Sequence, residues 1–243
     1  MESVEAAETS VTEQCMRRIG IDYHAEPAKS GEWGVEEDRR YGIQDRERAS
    51  LYGYHPISVV HPPEKSKAQL SDAELAALWG KTEKGVPLRR GAKSPNGKVI
   101  PPGGCSGEAD RKIRAPYDYA EGVSVARTID FEGYKRSLKD PAVTKVFADW
   151  SSCMRAEGYS YASPVEAMGS PAFSSTEVSD QERAVAKSDI GCKQKVDLIH
   201  RWNAAETAIQ MPMIKKNQAT LDKFLSLQKD KVAAAGKLLE HHG

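Results

Sequence analysis

The segment Cys15-Met-Arg-Arg-Ile-Gly-Ile-Asp-Tyr23 recurs later in the chain as Cys153-Met-Arg-Ala-Glu-Gly-Tyr-Ser-Tyr161. Cysteine, methionine, arginine, glycine and tyrosine hold the same positions in both copies. The other two cysteines, Cys105 and Cys192, each follow a glycine and each precede an aspartate by five residues. The four cysteines therefore form two copies of one ordered pair, and this duplication indicates how the chain folds.

Each copy lies at the end of a predicted amphipathic helix. In residues 2–19 the apolar side chains recur at intervals of four and seven, which places Cys15 on one apolar face. The second helix begins at Asp140-Pro141, because proline is tolerated in the first helical turn and fixes φ there. Gly20 and Gly158 are predicted to end the two helices, since glycine adopts the left-handed conformation without steric cost.

Further helices are indicated by capping residues and by apolar spacing. Ser71 to Trp79 is predicted to be a short capped helix, and Ser179 to Glu182 has the form of a capping box. Residues 179–240 are predicted to be almost wholly helical, with a kink or break at Pro212. Residues 25–70, apart from a short charged helix near 36–50, and residues 80–104 are predicted to be irregular by their glycines and prolines. Another helix is expected to begin near Ser106.

These patterns predict a mainly α fold. We expect a disulfide-stapled helical protein with two diverged helix-pair repeats, long irregular loops and a long C-terminal helical segment. Residues 1–243 are expected to form a single α-rich unit. Its repeat halves would span about 1–128 and 129–211, and residues 212–243 would form a C-terminal helical extension.

The duplication pairs Cys15 with Cys105 and Cys153 with Cys192, although four cysteines allow three connectivities. Structural disulfides form in oxidising compartments, so the predicted location is secreted or extracytoplasmic. Free buried thiols in a cytosolic protein are the alternative. Zinc binding is not expected, because the sequence has no Cys-x-x-Cys and its histidines show no ligand spacing relative to the cysteines.

The charge balance argues against a nucleic-acid partner. Lys plus Arg and Asp plus Glu both number 35, which leaves a formal net charge of zero. At the level of the whole chain the sequence therefore lacks the large basic field that is typical of proteins that bind nucleic acids or anionic membranes. The basic stretch from Lys81 to Lys98 is predicted to be a solvated loop rather than a phosphate site. No apolar run is long enough to cross a membrane. The first residues do not resemble a signal peptide, and the cysteine pattern favours a chain trimmed of its export signal over a cytosolic one.

The two Cys-Met-Arg-x-x-Gly-x-x-Tyr segments, together with the stretch from Ala184 to Cys192, resemble exported proteins and lipoproteins of actinobacteria. In those proteins a Cys-Met-Arg-x-x-Gly stretch is followed by a cysteine in a helix headed by alanine-rich sequence. The resemblance covers mainly residues 145–225. It implies a cell-envelope location, and it implies no particular activity. The chain lacks the lipobox cysteine to which the lipid of such lipoproteins is attached.

No recognisable catalytic or phosphate-binding motif occurs in the sequence. A nucleophile at Cys105 would be framed by glycines, but a turn leading into a stapled helix is the simpler interpretation. His55 and His61 flank a proline-rich segment that reads as a surface loop. We therefore expect a non-catalytic protein without cofactor or metal, and an extracellular hydrolase with an unrecognised carboxylate site is the alternative.

Two features are candidates for binding a protein or cell-wall partner. The first is a group of aromatic residues in the irregular region, comprising Trp33, Tyr52, Tyr54 and Trp79, since aromatics bury large area with few rotatable bonds. The second is an apolar stripe on the C-terminal helix, comprising Leu221, Leu225, Val232 and Leu239. This stripe would pack against the first helix, mediate self-association or bind a partner. The expected function is that of an envelope binding or adaptor protein, with a structural subunit of an envelope assembly as a further alternative.

Overall fold

The computed structural model describes residues 2–25, 39–62 and 70–240, and the fold is mainly helical, as predicted. The helices are α1 (Glu2–Arg18), α2 (Arg46–Tyr52), α3 (Ile57–Val60), α4 (Asp72–Trp79), α5 (Gly104–Ile113), α6 (Ala120–Ser137), α7 (Pro141–Ala156), α8 (Pro164–Met168), α9 (Asp180–Lys195), α10 (Leu198–Lys216) and α11 (Gln218–Glu240). Within these ranges, extended pairing is confined to two isolated bridges. The sequence did not indicate α6.

The chain divides into two compact units. The first comprises residues 1–27, 65–125 and 218–243, and the second comprises residues 28–64 and 126–217. Each unit contains one pair of cysteines. The first unit is assembled from segments at both ends of the chain. The predicted repeat halves, which meet at about residue 128, stay a prediction.

In the first unit, α1 packs against α5 and α11. The apolar face predicted for α1 is confirmed, because Val4, Ala7 and Val11 are buried there. They share a cluster with residues of α5 and with Ala235, Leu238 and Leu239 of α11. Full burial of a valine or leucine side chain contributes roughly 1.5–3 kcal/mol to the stability of the fold. The C-terminal helix therefore belongs to the core around the first helix.

In the second unit, the core lies between α7, α9 and α10. Trp202 is fully buried, and its ring contacts those of Tyr41 at 5.0 Å, Phe147 at 4.8 Å and Tyr134 at 5.6 Å between centroids. Such offset and edge contacts stabilise aromatic clusters beyond their area alone. The irregular segment 39–62 contributes Tyr41 to this cluster, and its helix α2 packs on α9.

The predicted disulfides are both formed. Cys15–Cys105 joins α1 to α5 with a Cα–Cα distance of 5.5 Å, and Cys153–Cys192 joins α7 to α9 with a Cα–Cα distance of 5.7 Å. Both distances lie near the commonest value for disulfides. Each compact unit is thus cross-linked once, between a Cys-Met-Arg helix and a later helix.

The repeated segment has the same backbone structure in both units. Gly20 and Gly158 have φ values of 83° and 90°. The next N–H in each copy donates to the carbonyl of the methionine, at 2.9 Å both times. This is the hydrogen-bond pattern of a helix that ends in a left-handed glycine. Met16 and Met154 are fully buried, so the methionine of the motif fills the core beside its disulfide.

Two helix ends differ from the sequence prediction. Helix α10 continues through Pro212, and the break comes at Asn217. Pro212 and Ala208, four residues before it, are both exposed, so water can satisfy the carbonyl that Pro212 leaves without a donor. A second break separates α9 from α10 at Asp197, a non-glycine residue with φ 52°. The helix predicted near Ser106 begins at Gly104.

Candidate functional site

The segment between α4 and α5, residues 80–103, is a tandem repeat of two turns, and we call it the twin-turn loop. In the first turn, the N–H groups of Thr82 and Leu88 donate to the carbonyls of Val86 and Gly80, each at 2.8 Å. In the second turn, the residues twelve positions later make the same two bonds, also at 2.8 Å. The loop predicted from glycine and proline content is therefore a duplicated, hydrogen-bonded structure.

The sequence carries this duplication only weakly. Lys81-Thr-Glu-Lys-Gly85 corresponds to Lys93-Ser-Pro-Asn-Gly97, with lysine, a hydroxyl residue and glycine in register. Gly85 and Gly97 have φ values of 76° and 75°, which only glycine adopts readily. A search for self-similarity at a spacing of twelve residues would have found it.

The loop is fixed to the core of the first unit at equivalent positions of both turns. Leu88 and Ile100, twelve residues apart, belong to the apolar cluster that surrounds Cys15 and Cys105. Leu88 is half-buried, and Ile100 is buried. The repeat thus directs one aliphatic side chain from each turn toward the disulfide.

The second turn also binds the end of α1. Ser94 Oγ donates to the carbonyl of Ile19 at 2.8 Å, and Lys98 Nζ donates to the carbonyl of Arg18 at 3.0 Å. Asn96 Nδ2 donates to the carbonyl of Gly20. The last carbonyls of a helix have no partner within the helix, so the loop satisfies them. The end of the first Cys-Met-Arg segment and the twin-turn loop are therefore one hydrogen-bonded structure.

The two ends of the loop meet. Gly80 ends α4 with φ 66°, and a Cβ atom at Gly80 would overlap the backbone of Gly103 and Gly104. Only glycine permits this approach. The loop is therefore closed on itself at its base.

The loop carries strong positive charge. Its residues include six lysines and arginines and one glutamate, a net charge of +5 in a chain of formal net charge zero. All six of these cations are exposed, and among the described residues they form no ion pair: Lys81, Lys84, Arg89, Arg90, Lys93 and Lys98. By contrast, other arginines of the first unit are paired, as in Arg18–Glu108 and Arg114–Glu8. The positive charge of the loop is not neutralised by carboxylates of the described chain.

Large apolar side chains are exposed beside these cations. Trp79, the residue before the loop, is 53% exposed, and Val86 and Val99 within it are 58% and 59% exposed. Trp79 is one of the four aromatic residues predicted to bind, and it is the one that adjoins the cationic loop. Sequence reasoning did not connect it with the basic stretch.

The other predicted aromatic residues are placed differently. Trp33 lies outside the described residues. Tyr52 is half-buried and makes an edge contact with His61, at 5.7 Å between ring centroids. Tyr54 is only 4% exposed and stacks on Phe173 at 5.6 Å, so its ring belongs to the core. The described members of the predicted group do not form one surface.

The predicted partner helix is partly committed to its own core. Leu239 packs in the cluster with α1, and Leu221 is half-buried. Leu225 and Val232, one heptad apart, are exposed. The stripe therefore has an intramolecular part near its end and an exposed part before it.

The second unit contains buried charged residues that the sequence did not indicate. Glu182 accepts the N–H of Tyr54 at 2.7 Å and lies 2.8 Å from His55 Nδ1. His55 Nε2 lies 2.6 Å from the carbonyl oxygen of Ser175. This oxygen can only accept a hydrogen bond. Ser179 caps α9 through the N–H of Glu182 at 3.1 Å, as predicted. The Glu182 carboxylate binds the segment 39–62 and does not complete the capping box.

Two further buried carboxylates hold the same segment. Glu206 accepts from Arg40 and from the Tyr41 hydroxyl at 2.9 Å, and its hydrogen bond raises the pKa of Arg40. Asp189 accepts from Lys193 at 2.9 Å and from Trp150 Nε1 at 3.0 Å. Burial raises the pKa of Asp189. Glu206 thus attaches the irregular segment to α10 directly. Asp189 does so through Lys193, whose Nζ also donates to the carbonyl of Ile43 at 3.1 Å.

A cleft of about 660 Å³ in the second unit is lined by Thr144, Phe147, Arg155, Tyr161 and Glu166, among others. Its polar groups bond to their neighbours: Glu166 accepts the N–H of Ala162 at 2.7 Å, and Arg155 donates to Ser151 Oγ at 3.2 Å. Converging, unpartnered acid and base groups would favour a hydrolytic site, and this cleft does not show them.

Among the described residues, no group of three or more His, Cys, Asp or Glu side chains is arranged to hold a metal ion. The described helices include none with the length and apolar character needed to cross a membrane. Comparison of the chain with protein-family models, with curated proteins and with solved structures gives no match.

Proposed function

We propose that this chain is an exported, non-catalytic protein of the cell envelope that binds its partner through the twin-turn loop. The observation that carries the proposal is the set of six exposed cations on a closed loop, none of which forms an ion pair within the described part of the chain. Each half of the loop is fixed to the core around the Cys15–Cys105 disulfide. Loops held on a rigid scaffold are the usual position of binding residues.

The disulfides support the compartment. Both link helices of one compact unit and enclose long spans of 90 and 39 residues. Structural disulfides persist outside the reducing cytosol. Mass spectrometry under non-reducing conditions, on protein from its native source, tests this. We expect the Cys15–Cys105 and Cys153–Cys192 linkages and no free thiol. Four alkylatable thiols would overturn the proposed extracytoplasmic location.

Capture of partners tests the binding surface. The full chain, immobilised under non-reducing conditions, should retain components of an envelope fraction, and a Lys84→Glu/Lys93→Glu variant should lose them. A matched variant, Lys139→Glu/Lys229→Glu, makes the same charge change at two other exposed lysines for which no ion pair is described. Equal retention by both variants would place the binding surface elsewhere.

A second candidate is a structural subunit of an envelope assembly. It is favoured by Leu225 and Val232, which are exposed on α11 while the end of the same helix is packed on α1. Light scattering tests it: the chain should form an oligomer that the Leu225→Ser/Val232→Ser variant dissociates. A monomer at all concentrations would remove self-association from consideration.

A further inference from the structure

We propose that the twin-turn loop binds the surface of a lipid bilayer with acidic headgroups; this rests on the proposed function and names the partner of its site. The occupant is identified by two chemical features that the loop combines. One is uncompensated positive charge, and the other is a set of exposed apolar side chains at the same loop.

Charge complementarity selects an acidic surface. The loop has a net charge of +5, so the remaining residues together carry −5. An acidic surface attracts the first and repels the second, which favours approach through the loop. Lysines and arginines near an acidic membrane contribute individually to binding, and their effect extends for about a Debye length.

The apolar residues distinguish a bilayer from a soluble polyanion. Trp79, Val86 and Val99 are more than half exposed. A polyanion in water would neutralise the cations and leave these side chains in contact with solvent. The interface of a bilayer accepts both kinds of group, since tryptophan and aliphatic residues enter it while basic residues remain at the headgroups.

The loop is closed and fixed to the core before it binds. Its ends meet at Gly80, and each turn is closed by two backbone hydrogen bonds of 2.8 Å. Leu88 and Ile100 fix both turns to the disulfide cluster. Because the loop is already ordered, little conformational entropy is lost on binding. A modest number of charges can therefore give measurable affinity.

Co-sedimentation of the oxidised full chain with vesicles tests the proposal. One set of vesicles contains phosphatidylcholine alone, and the other replaces about one third of it with phosphatidylglycerol, at about 0.15 M salt. We expect binding to the acidic vesicles only, with loss of binding when the salt concentration is raised about threefold. The Lys84→Glu/Lys93→Glu variant should bind at least about tenfold more weakly, and the control Lys139→Glu/Lys229→Glu should bind as the native chain does.

A second variant tests the apolar part. Trp79→Ser/Val86→Ser removes two exposed side chains and no charge, so its fold should be unchanged by circular dichroism. We expect it to bind acidic vesicles several-fold more weakly and to bind soluble polyphosphate as the native chain does. Equal vesicle binding by this variant and the native chain would identify a polyanion site instead and overturn the proposal.

Two other results would also overturn it: equal binding to neutral and acidic vesicles, or equal loss in the loop variant and the control. Failure here differs from failure of the proposed function. If the native disulfides and loop-dependent capture from an envelope fraction are found but the chain does not bind vesicles, only the assignment of the bilayer as the partner is wrong. If the cysteines are free thiols, the proposed compartment fails first.

Discussion

Removal of the Cys15–Cys105 disulfide should loosen the first unit and its cationic loop together. The cross-link encloses 90 residues. In the chain-entropy model this corresponds to about 4.6 kcal/mol of stabilisation at 25 °C, against about 3.9 kcal/mol for the 39-residue span of Cys153–Cys192. Native-state strain and residual structure in the unfolded chain commonly reduce such values, so we expect losses of about 2–4 kcal/mol in each case.

The location of the effect is the sharper part of this prediction. In the Cys15→Ala/Cys105→Ala variant, amide hydrogen exchange should accelerate in residues 80–103, because Leu88 and Ile100 pack around the missing disulfide. The matched variant Cys153→Ala/Cys192→Ala should accelerate exchange in α7 and α9 and leave the loop protected. Exchange is the suitable assay, since a chain with two compact units need not unfold in one transition.

The refuting result is specific. If the Cys15→Ala/Cys105→Ala variant loses less than about 1 kcal/mol and its loop amides remain as protected as in the native chain, the disulfide does not support the loop. The same conclusion follows if both double variants accelerate exchange in the loop equally. Either outcome would remove the covalent basis that we give for a prepared binding surface.

Three further predictions concern single residues. Gly80→Ala should destabilise the chain by at least about 2 kcal/mol, because the added Cβ would overlap the backbone of Gly103. Gly85 has a similar φ but open space around it, so Gly85→Ala should cost about 1 kcal/mol. Equal losses of stability in urea unfolding would contradict the close approach at Gly80. Glu182→Ala should lower the free energy of unfolding by about 1–3 kcal/mol by leaving the N–H of Tyr54 unpaired, and Glu182→Gln, which keeps an acceptor, should cost less in the same assay. The hydrogen bond from the Ser71 backbone lowers the pKa of Glu74. The stability that the ionised Glu74 carboxylate contributes is therefore present above the ordinary glutamate pKa and is lost as pH falls through the pKa of the folded state. An NMR titration should detect the lowered pKa, and an ordinary value would argue against the capping box.

The sequence was most informative where structure depends on neighbouring residues. The helix ends at Gly20 and Gly158 follow from local backbone preference, and the duplicated context of the cysteines was sufficient to choose between three connectivities. The capping box at Ser71 is likewise local: its two hydrogen bonds join residues three positions apart. Such features repeat in sequence because their geometry repeats.

Features set by distant contacts could not be predicted in this way. Glu182 has the position of a capping-box residue, yet its carboxylate binds Tyr54 and His55, which lie more than one hundred residues earlier in the chain. Tyr54 and Trp79 are both members of the predicted aromatic group, but only Trp79 of the two is exposed. Which of them a partner can reach depends on packing that no local pattern records.

The order of the disulfides along the chain has a consequence for how the protein is made. Both bonds join cysteines that are consecutive in sequence. A chain that enters an oxidising compartment with its N-terminus first presents Cys15 and Cys105 as the first possible pair and Cys153 and Cys192 as the next. An oxidant that joins cysteines in order of arrival would therefore produce the native linkages without later exchange. If the proposed extracytoplasmic location is correct, maturation should depend on an oxidase and be indifferent to a disulfide isomerase.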